Sequence, residues 1–498
     1  MAVVAGLLLQ PSFTEVLLGA VLVLFLHYVI TSTLRFRREP PGPRPLPIIG
    51  NLLQLDLNRP YHSLYELSKT YGSVFKVHFG CKKVIVLAGY KTVKEALVNH
   101  ATEFGDRDLS PVVRDLYNGH GIIFANGDSW KELRNFTLVN IQDIGTGKRK
   151  NAEKIMEEVE YLMEVFEKHA GEPFDPKLPL DYSVANITSS IVYGSRFDYS
   201  DPQLWEMATI HPTYAKIWYP IIQLYDAFPW LARRLKSWGA VVDFVEKKKA
   251  RVRRLVRVLQ DSHCAQERRG FVDSFLTRQQ EESERQNSFF NEENLVTCVL
   301  NLFSASDTTS TVLQWALVIM AKYPHIQERV QEELGQVIGS QRPEAKDRKA
   351  LPYTNAVIHE VQRVANIDPL SVPHAASCDV TFKGFFISKG TRVIPLLMSV
   401  LCDESQWESP HSFKPDHFLD DQGHFVRKDA FLSFSAGRRV CLAESLARTE
   451  LFLIFTSLLQ KFSFSPPPGV SESELDLTPV GSNMLSPTPY ELCAVSRF

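Results

Sequence analysis

Cysteine is scarce and unpaired in this chain of 498 residues: seven thiols, at 81, 264, 298, 378, 402, 441 and 493, odd in number and widely scattered. That spacing makes no disulfide framework, and no CxxC pair offers a zinc site. Free thiols place the globular part in a reducing compartment. An excess of charge of one sign is lacking too. Fifty-five basic against 57 acidic residues leave a net −2, which excludes a nucleic-acid coat. Long apolar runs are missing but for one, so a polytopic membrane protein is excluded. A composition of 44% hydrophobic and 22% charged residues excludes disorder. The common enzymatic signatures are also absent. There is no GxSxG elbow, no P-loop and no GxGxxG; Gly145-Thr-Gly147-Lys148 lacks a third glycine and a preceding strand. His359-Glu360-Val-Gln-Arg363 carries arginine where a zinc-protease helix needs its second histidine.

The one long apolar run is Val16 to Leu34, with His27 its only titratable residue. As a helix it reaches about 28 Å, close to the hydrocarbon thickness of a bilayer. Glu15 precedes it and Arg35, Arg37 and Arg38 follow, so the charge bias puts the N-terminus in the lumen and the body in the cytosol. A cleaved signal peptide would carry its basic charge first and a small-residue cleavage site after. Residues 1–34 are therefore expected to be a signal-anchor with one transmembrane helix, about 16–34. The sequons at Asn135 and Asn186 should then stay unglycosylated. Residues 35–50 form a basic, proline-rich spacer, with prolines at 40, 41, 43, 45 and 47. Such a run cannot be helical and favours a stiff extended rod.

Residues 51–498 contain no further linker or repeat. Alternation over Val74–Phe79 and Lys83–Leu87 predicts a hairpin, and Val380–Ile387 with Arg392–Leu397 predicts a second pair around 388–391. Most of the middle has helical periodicity. Asn291–Met320 reads as one long apolar helix, Ile326–Ile338 as an amphipathic one, and Leu442–Phe462 as the last. The fold class expected is mainly α with small β-sheets (α+β).

The sharpest chemical signal is Phe434-Ser-Ala-Gly437-Arg438-Arg439-Val-Cys441, just before an amphipathic helix. A helix N-terminus and the Arg439 cation both favour a thiolate. The competing reading of Cys441 is a small buried hydrophobe. In the long helix, Ser304-Ala305-Ser306-Asp307-Thr308-Thr309 joins an acid to an alcohol, a pair that can organise proton delivery. Alternatively, that run satisfies only its own backbone.

The loop resembles the haem-binding pattern F-x-x-G-x-R-x-C-x-G of the cytochromes P-450. The likeness covers nearly the whole chain and is closest to the vertebrate microsomal family-2 branch. It implies one haem domain at 51–498, with Cys441 as metal ligand to haem b (iron protoporphyrin IX) through its thiolate. It implies Arg107, Trp130, Arg134, His374, Phe434 and Arg439 as cofactor-binding residues, and Asp307 and Thr308 as catalytic. This chain departs from the pattern at Ala443, where the last glycine belongs. The glycine before the acid–alcohol pair is also absent: Ala305 takes its place, or Ser306 does and one residue is missing. Glu360-x-x-Arg363 resembles the family's structural pair, with His417 where its later arginine partner would be.

The resemblance further implies a monooxygenase of the endoplasmic reticulum membrane, single-pass with its catalytic domain cytosolic. It would oxidise a lipophilic small molecule (a xenobiotic, fatty acid or steroid) with dioxygen. Electrons would come from NADPH–cytochrome P-450 reductase, with the microsomal b-type cytochrome a candidate second donor; no nucleic acid is involved. The competing readings are a catalytically silent haem- or lipid-binding protein and an electron-independent isomerase or dehydratase of the same fold. Asp307-Thr308 argues for the monooxygenase. Lys131, Lys148, Arg149, Lys150, Arg438 and Arg448 make a candidate basic patch for the reductase. The run Lys247–Arg254 reads as a solvated helix face. Four tryptophans, at 205, 218, 230 and 238, mark either a core helix pair or a region that dips into the bilayer. The family's pocket would use residues near 108–124, this aromatic region (205–238), 295–305, Asp368–Val372 and Gly481–Leu485.

Overall fold

The computed structural model describes residues 19, 22–23, 39–143, 148–208, 221–264 and 268–497. All of the expected anchor but Gly19, Leu22 and Val23 lies outside them, as do Trp218 and Gly145. Among the described residues no helix is long and apolar enough to cross a membrane.

Helices dominate: α1 (Pro60–Tyr71), α2 (Gly127–Asp143), α3 (Lys148–Glu167), α4 (Lys177–Val192), α5 (Lys236–Asp261), α6 (Glu292–Lys322), α7 (Pro324–Val337), α8 (Pro352–Ala365) and α9 (Glu444–Lys461). The Asn291–Met320 segment forms α6 much as its periodicity requires. Asn291 caps it by accepting the Asn294 N–H, and Pro324 after Tyr323 starts α7, where a missing N–H costs nothing. Helix α6 runs through the largest apolar core, packed by α3, α4, α7, α8 and α9. That explains why it is hydrophobic all round and not along one stripe.

The main sheet has the strand order β1-β2-β7-β4-β3, with β1 (Val74–Phe79), β2 (Lys82–Leu87), β3 (Asp106–Arg107), β4 (His374–Ala375) and β7 (Arg392–Pro395). The first hairpin forms as expected. The second pair does not. Residues 380–387 are a hairpin in themselves, β5 (Val380–Phe382) on β6 (Phe385–Ile387), turned at Lys383-Gly384 where both residues have positive φ. Strand β7 instead pairs parallel with β2. Its four residues are all buried, so it belongs inside a covered sheet. The described part of the proline-rich segment lies on the body and is not held away from it. Lys76 N–H donates to the Pro41 carbonyl, and Glu39 pairs with Lys76 and Lys83. Prolines cannot donate to a ladder, but their carbonyls still accept.

Candidate active site

The cysteine loop turns through the tightest backbone contact that a glycine makes in the described structure. Gly437 has φ +73°, and a Cβ there would lie 1.7 Å from the Leu97 carbonyl oxygen. Only glycine meets both demands. The Cys441 N–H returns to the Phe434 carbonyl at 3.0 Å and closes the loop. Cys441 is half-buried, and α9 begins three residues later. Burial pushes the Cys441 thiol up, while the Ala443 N–H and the charge of Arg134 pull it down. The favourable cation is thus Arg134, whose Nη2 donates to the Val440 carbonyl at 2.7 Å, and not Arg439 as expected. Ala443 has φ −92°, which suits any residue, so the missing glycine demands no backbone change.

Arg439 is turned the other way. Its Nε donates to Gly105 O, and its Nη2 to Ala125 O and Asn126 Oδ1. The same Asn126 oxygen accepts the Arg107 N–H, so one amide stitches the two arginine segments together. Arg107 and His374 are register partners across β3 and β4, and the Trp130 ring lies 3.7 Å from the Arg439 guanidinium. Burial and mutual repulsion lower Arg439 to about 9, and burial lowers Arg107 to about 10. Four nitrogens here are buried without a partner: Arg107 Nε, Trp130 Nε1, His374 Nε2 and Arg439 Nη1. Buried donors are normally satisfied. Two cations, Arg107 and Arg439, therefore carry buried N–H groups that no acceptor meets.

The residues 40–494 match the family model described as Cytochrome P450. The chain belongs to the cytochrome P450 family. It is 58% identical over 501 residues to cytochrome P450 2K1 of Oncorhynchus mykiss, covering 98% of this chain and 99% of that relative. Cytochrome P450 2K6 of Danio rerio is 50% identical over the full length of both chains. Cytochrome P450 2F2 of Mus musculus is 45% identical, over 91% of this chain and 93% of its own. The enzyme is a P450 monooxygenase, and its family implies a haem with a cysteine thiolate ligand. Haem carries two propionates, and the orphaned nitrogens of Arg107, Trp130 and Arg439 supply the donors such anions need. His374 Nδ1–H donates to Phe104 O, which leaves Nε2 a lone pair; a propionate beside it would favour the imidazolium. The residues present fit the group.

Helix α6 is buried at every position from 294 to 321 except Leu300, Ser304, Ala305, Asp307 and Thr308. These five share one arc of the helix, and Ser304 in mid-core is exposed, so the arc faces an internal space. The helix passes through this stretch without a break. Thr308 Oγ1 donates to Ala305 O at 2.8 Å, and Ser306 bonds Thr188 on α4. No hydrogen bond joins the Asp307 and Thr308 side chains. Asp307 is raised to about 7 by burial, with Lys248 opposing and Asp181 adding to the rise.

The P450 scaffold pair is fully formed. Glu360 and Arg363 are 2.7 Å apart with no exposed surface, and Arg363 also donates to Leu401 O, Pro410 O and Ser412 O. His417 Nδ1–H donates to Glu360, while Nε2 accepts the Ser409 N–H. The proposed basic patch is less uniform. Arg438 is exposed and Lys131 is tied to Asp128, whereas Arg448 is turned inward onto Glu444 and His359. The side chains at 148–150 lie outside the described residues. The Lys247–Arg254 run is not wholly solvated: Lys249 is buried with its ammonium on Leu116 O, and Lys248 acts on Asp307.

Sequence reasoning missed Asn126, and also Asn294 and Asn301. Asn294 Oδ1 accepts Gly121 N–H, and Asn301 Oδ1 accepts the N–H groups of Ile122 and Ile123. They clamp the 120–123 loop onto α6. An asparagine in a helix carries no local sign of the distant backbone it will cap.

Proposed function

We propose that Cys441 would ligate haem b through its thiolate, with Arg107, Trp130, His374 and Arg439 holding its propionates. The observation that carries this is the set of buried, unpartnered nitrogens around the cysteine loop. Arg134 acts differently from these four. It bonds the Val440 carbonyl and biases Cys441 toward thiolate. Phe434 supports the loop through its carbonyl, its ring lying against Arg448.

The bound haem supplies dioxygen activation, with thiolate donation favouring O–O cleavage. The chain supplies position and protons. Thr308 gives its own hydroxyl hydrogen to Ala305 O, which leaves the Oγ1 lone pairs free to hold a water on the open arc of α6. Asp307, raised to about 7, can take up and release a proton near neutral pH. The substrate is a lipophilic small molecule: a xenobiotic, fatty acid or steroid. NADPH–cytochrome P-450 reductase is the electron donor, with the microsomal b-type cytochrome as a second, and exposed Arg438 is one docking contact.

The same reading places the enzyme in the endoplasmic reticulum membrane, anchored by residues 16–34. Leu46, Ile48, Leu53, Trp230 and Leu231 are exposed apolar side chains. The β1–β2 turn brings their segments together: Cys81 Sγ lies 3.7 Å from Ile48 O, and Gly80 abuts Ala227 and Phe228. Trp238 behaves otherwise, stacked on buried Tyr225 at 3.7 Å. Trp238 therefore belongs to the core and Trp230 to an apolar patch suited to a bilayer surface.

The deciding experiment is the carbon monoxide difference spectrum of the reduced protein in membranes. A red-shifted Soret band that vanishes in Cys441→Ala supports the assignment; a band at the ordinary histidine-haem position in the unaltered protein refutes it. Thr308→Ala should consume reductant without matching product, which a silent binder or an electron-independent isomerase would not do.

A further inference from the structure

An open cavity of about 440 Å³ lies beside Leu442, and none of Arg107, Trp130, His374 and Arg439 lines it. Arg348, Arg427 and Arg448 line it, with His359, Glu444 and Ser445. Its charges do not balance. Glu444 is the single carboxylate of the lining, and one oxygen of it takes both Arg427 Nη2 at 3.2 Å and Arg448 Nε at 2.9 Å. Among the described residues Arg348 makes no ion pair; its Nε donates to the neutral Asn355 amide. Three guanidinium charges thus face one carboxylate. His359 adds no negative charge. Its Nδ1–H donates to Asn355 O and its Nε2 accepts from Arg448 Nη1 at 2.7 Å.

Two features mark the cavity as short of negative charge. Arg448 Nη2 is buried and makes no aligned hydrogen bond, although Glu444 lies 2.9 Å away. Arg348 is lowered to about 10 by burial and by the charges of Arg448 and Arg427, so these cations repel across the space. Glu444 and Ser445 also bring the first turn of α9 to the cavity, and no side chain caps that turn. Guanidinium forks match phosphate oxygens two at a time, and an uncapped helix N-terminus favours an anion.

The structure assigns to this cavity the binding of a phosphate dianion, free or as a monoester, on Arg348, Arg427 and Arg448. An anion of charge −2 neutralises the net charge of the lining, and it gives Arg448 Nη2 an acceptor. A bare phosphate does not fill the volume, so a monoester with a small organic group fits better.

The test is calorimetric titration of the full-length, haem-loaded protein with inorganic phosphate and with glycerol 3-phosphate, ionic strength held constant with chloride. Saturable binding at one site is expected, weakened about tenfold by Arg427→Gln, as loss of one charge-assisted contact implies. Arg427 is largely exposed, so this variant should keep its fold, which the reduced carbon monoxide band reports. Arg348→Gln should weaken binding similarly. Tighter binding of the monoester than of inorganic phosphate supports the larger ligand. The assignment falls if neither anion saturates, or if both variants bind as tightly as the parent. It falls too if phosphate does not bind while Arg427→Gln raises the reductase concentration for half-maximal turnover, because the cavity would then receive a carboxylate of the protein partner.

Discussion

Gly437 and Asp307 illustrate how a single side chain, present or missing, sets a local demand. At Gly437 a methyl group would strike the Leu97 carbonyl and hold a left-handed backbone at once. Gly437→Ala should cost about 2–4 kcal/mol and lower haem occupancy, measured by denaturant unfolding and by absorbance per protein. Asp307 is the converse, a group whose surroundings disfavour its charge. Burial raises it to about 7, above the ordinary carboxylate range. Between about pH 4 and pH 7 the unfolded chain gives up this proton and the folded chain keeps it, so stability falls as pH rises through that window. Asp307→Asn should flatten that part of the fall in unfolding free energy. Glu450, also raised to about 7 by burial, should keep its own share of the slope.

At the scale of elements, α8 is locked to the 410–418 segment by a buried ion pair whose every charged atom is engaged. Such a pair is costly to break from one side, since the survivor is left charged and dry. Glu360→Ala should destabilise the protein by about 3–5 kcal/mol, read from the chemical denaturation midpoint. The E-x-x-R spacing was legible because i and i+3 face the same way on a helix. The role of His417 became definite only with the fold, where it lies 3.1 Å from Glu360 across 57 residues. The second β pair was misread for the same kind of reason. Alternation marks residues as strand, but the choice between a neighbour in sequence and β2, some 300 residues earlier, is made by the sheet.

Across the whole molecule, the proposed membrane face combines a segment near residue 48 with another near residue 230, joined by the β1–β2 turn. Removal of residues 1–38 should leave residual binding in a phospholipid-vesicle flotation assay, and the further change Ile48→Ser with Trp230→Ser should abolish it. Unchanged flotation would mean that the patch does not meet lipid. Topology has its own check in Asn135. Asn186 is buried and bonded to Phe197 and Glu158, so it is closed to modification in the folded protein. Asn135 is exposed. Its freedom from glycan in cells would agree with a cytosolic body, and a glycan there would reverse the orientation.

The order of residues along the chain was enough for the helical character, the cysteine loop and the family. Each rests on short-range relations: periodicity, a glycine near a cysteine, an acid beside an alcohol. Tertiary structure alone decided which cations serve which partner. Arg134 and Arg439 looked interchangeable in the sequence, yet one turns to the cysteine loop and the other to Asn126, because their donors meet different carbonyls when α2 and the loop pack. Arg448 looked like a surface contact and is drawn into a cavity by His359, 89 residues away. Charge is written locally, but what it neutralises is set by neighbours that only folding brings within 3 Å.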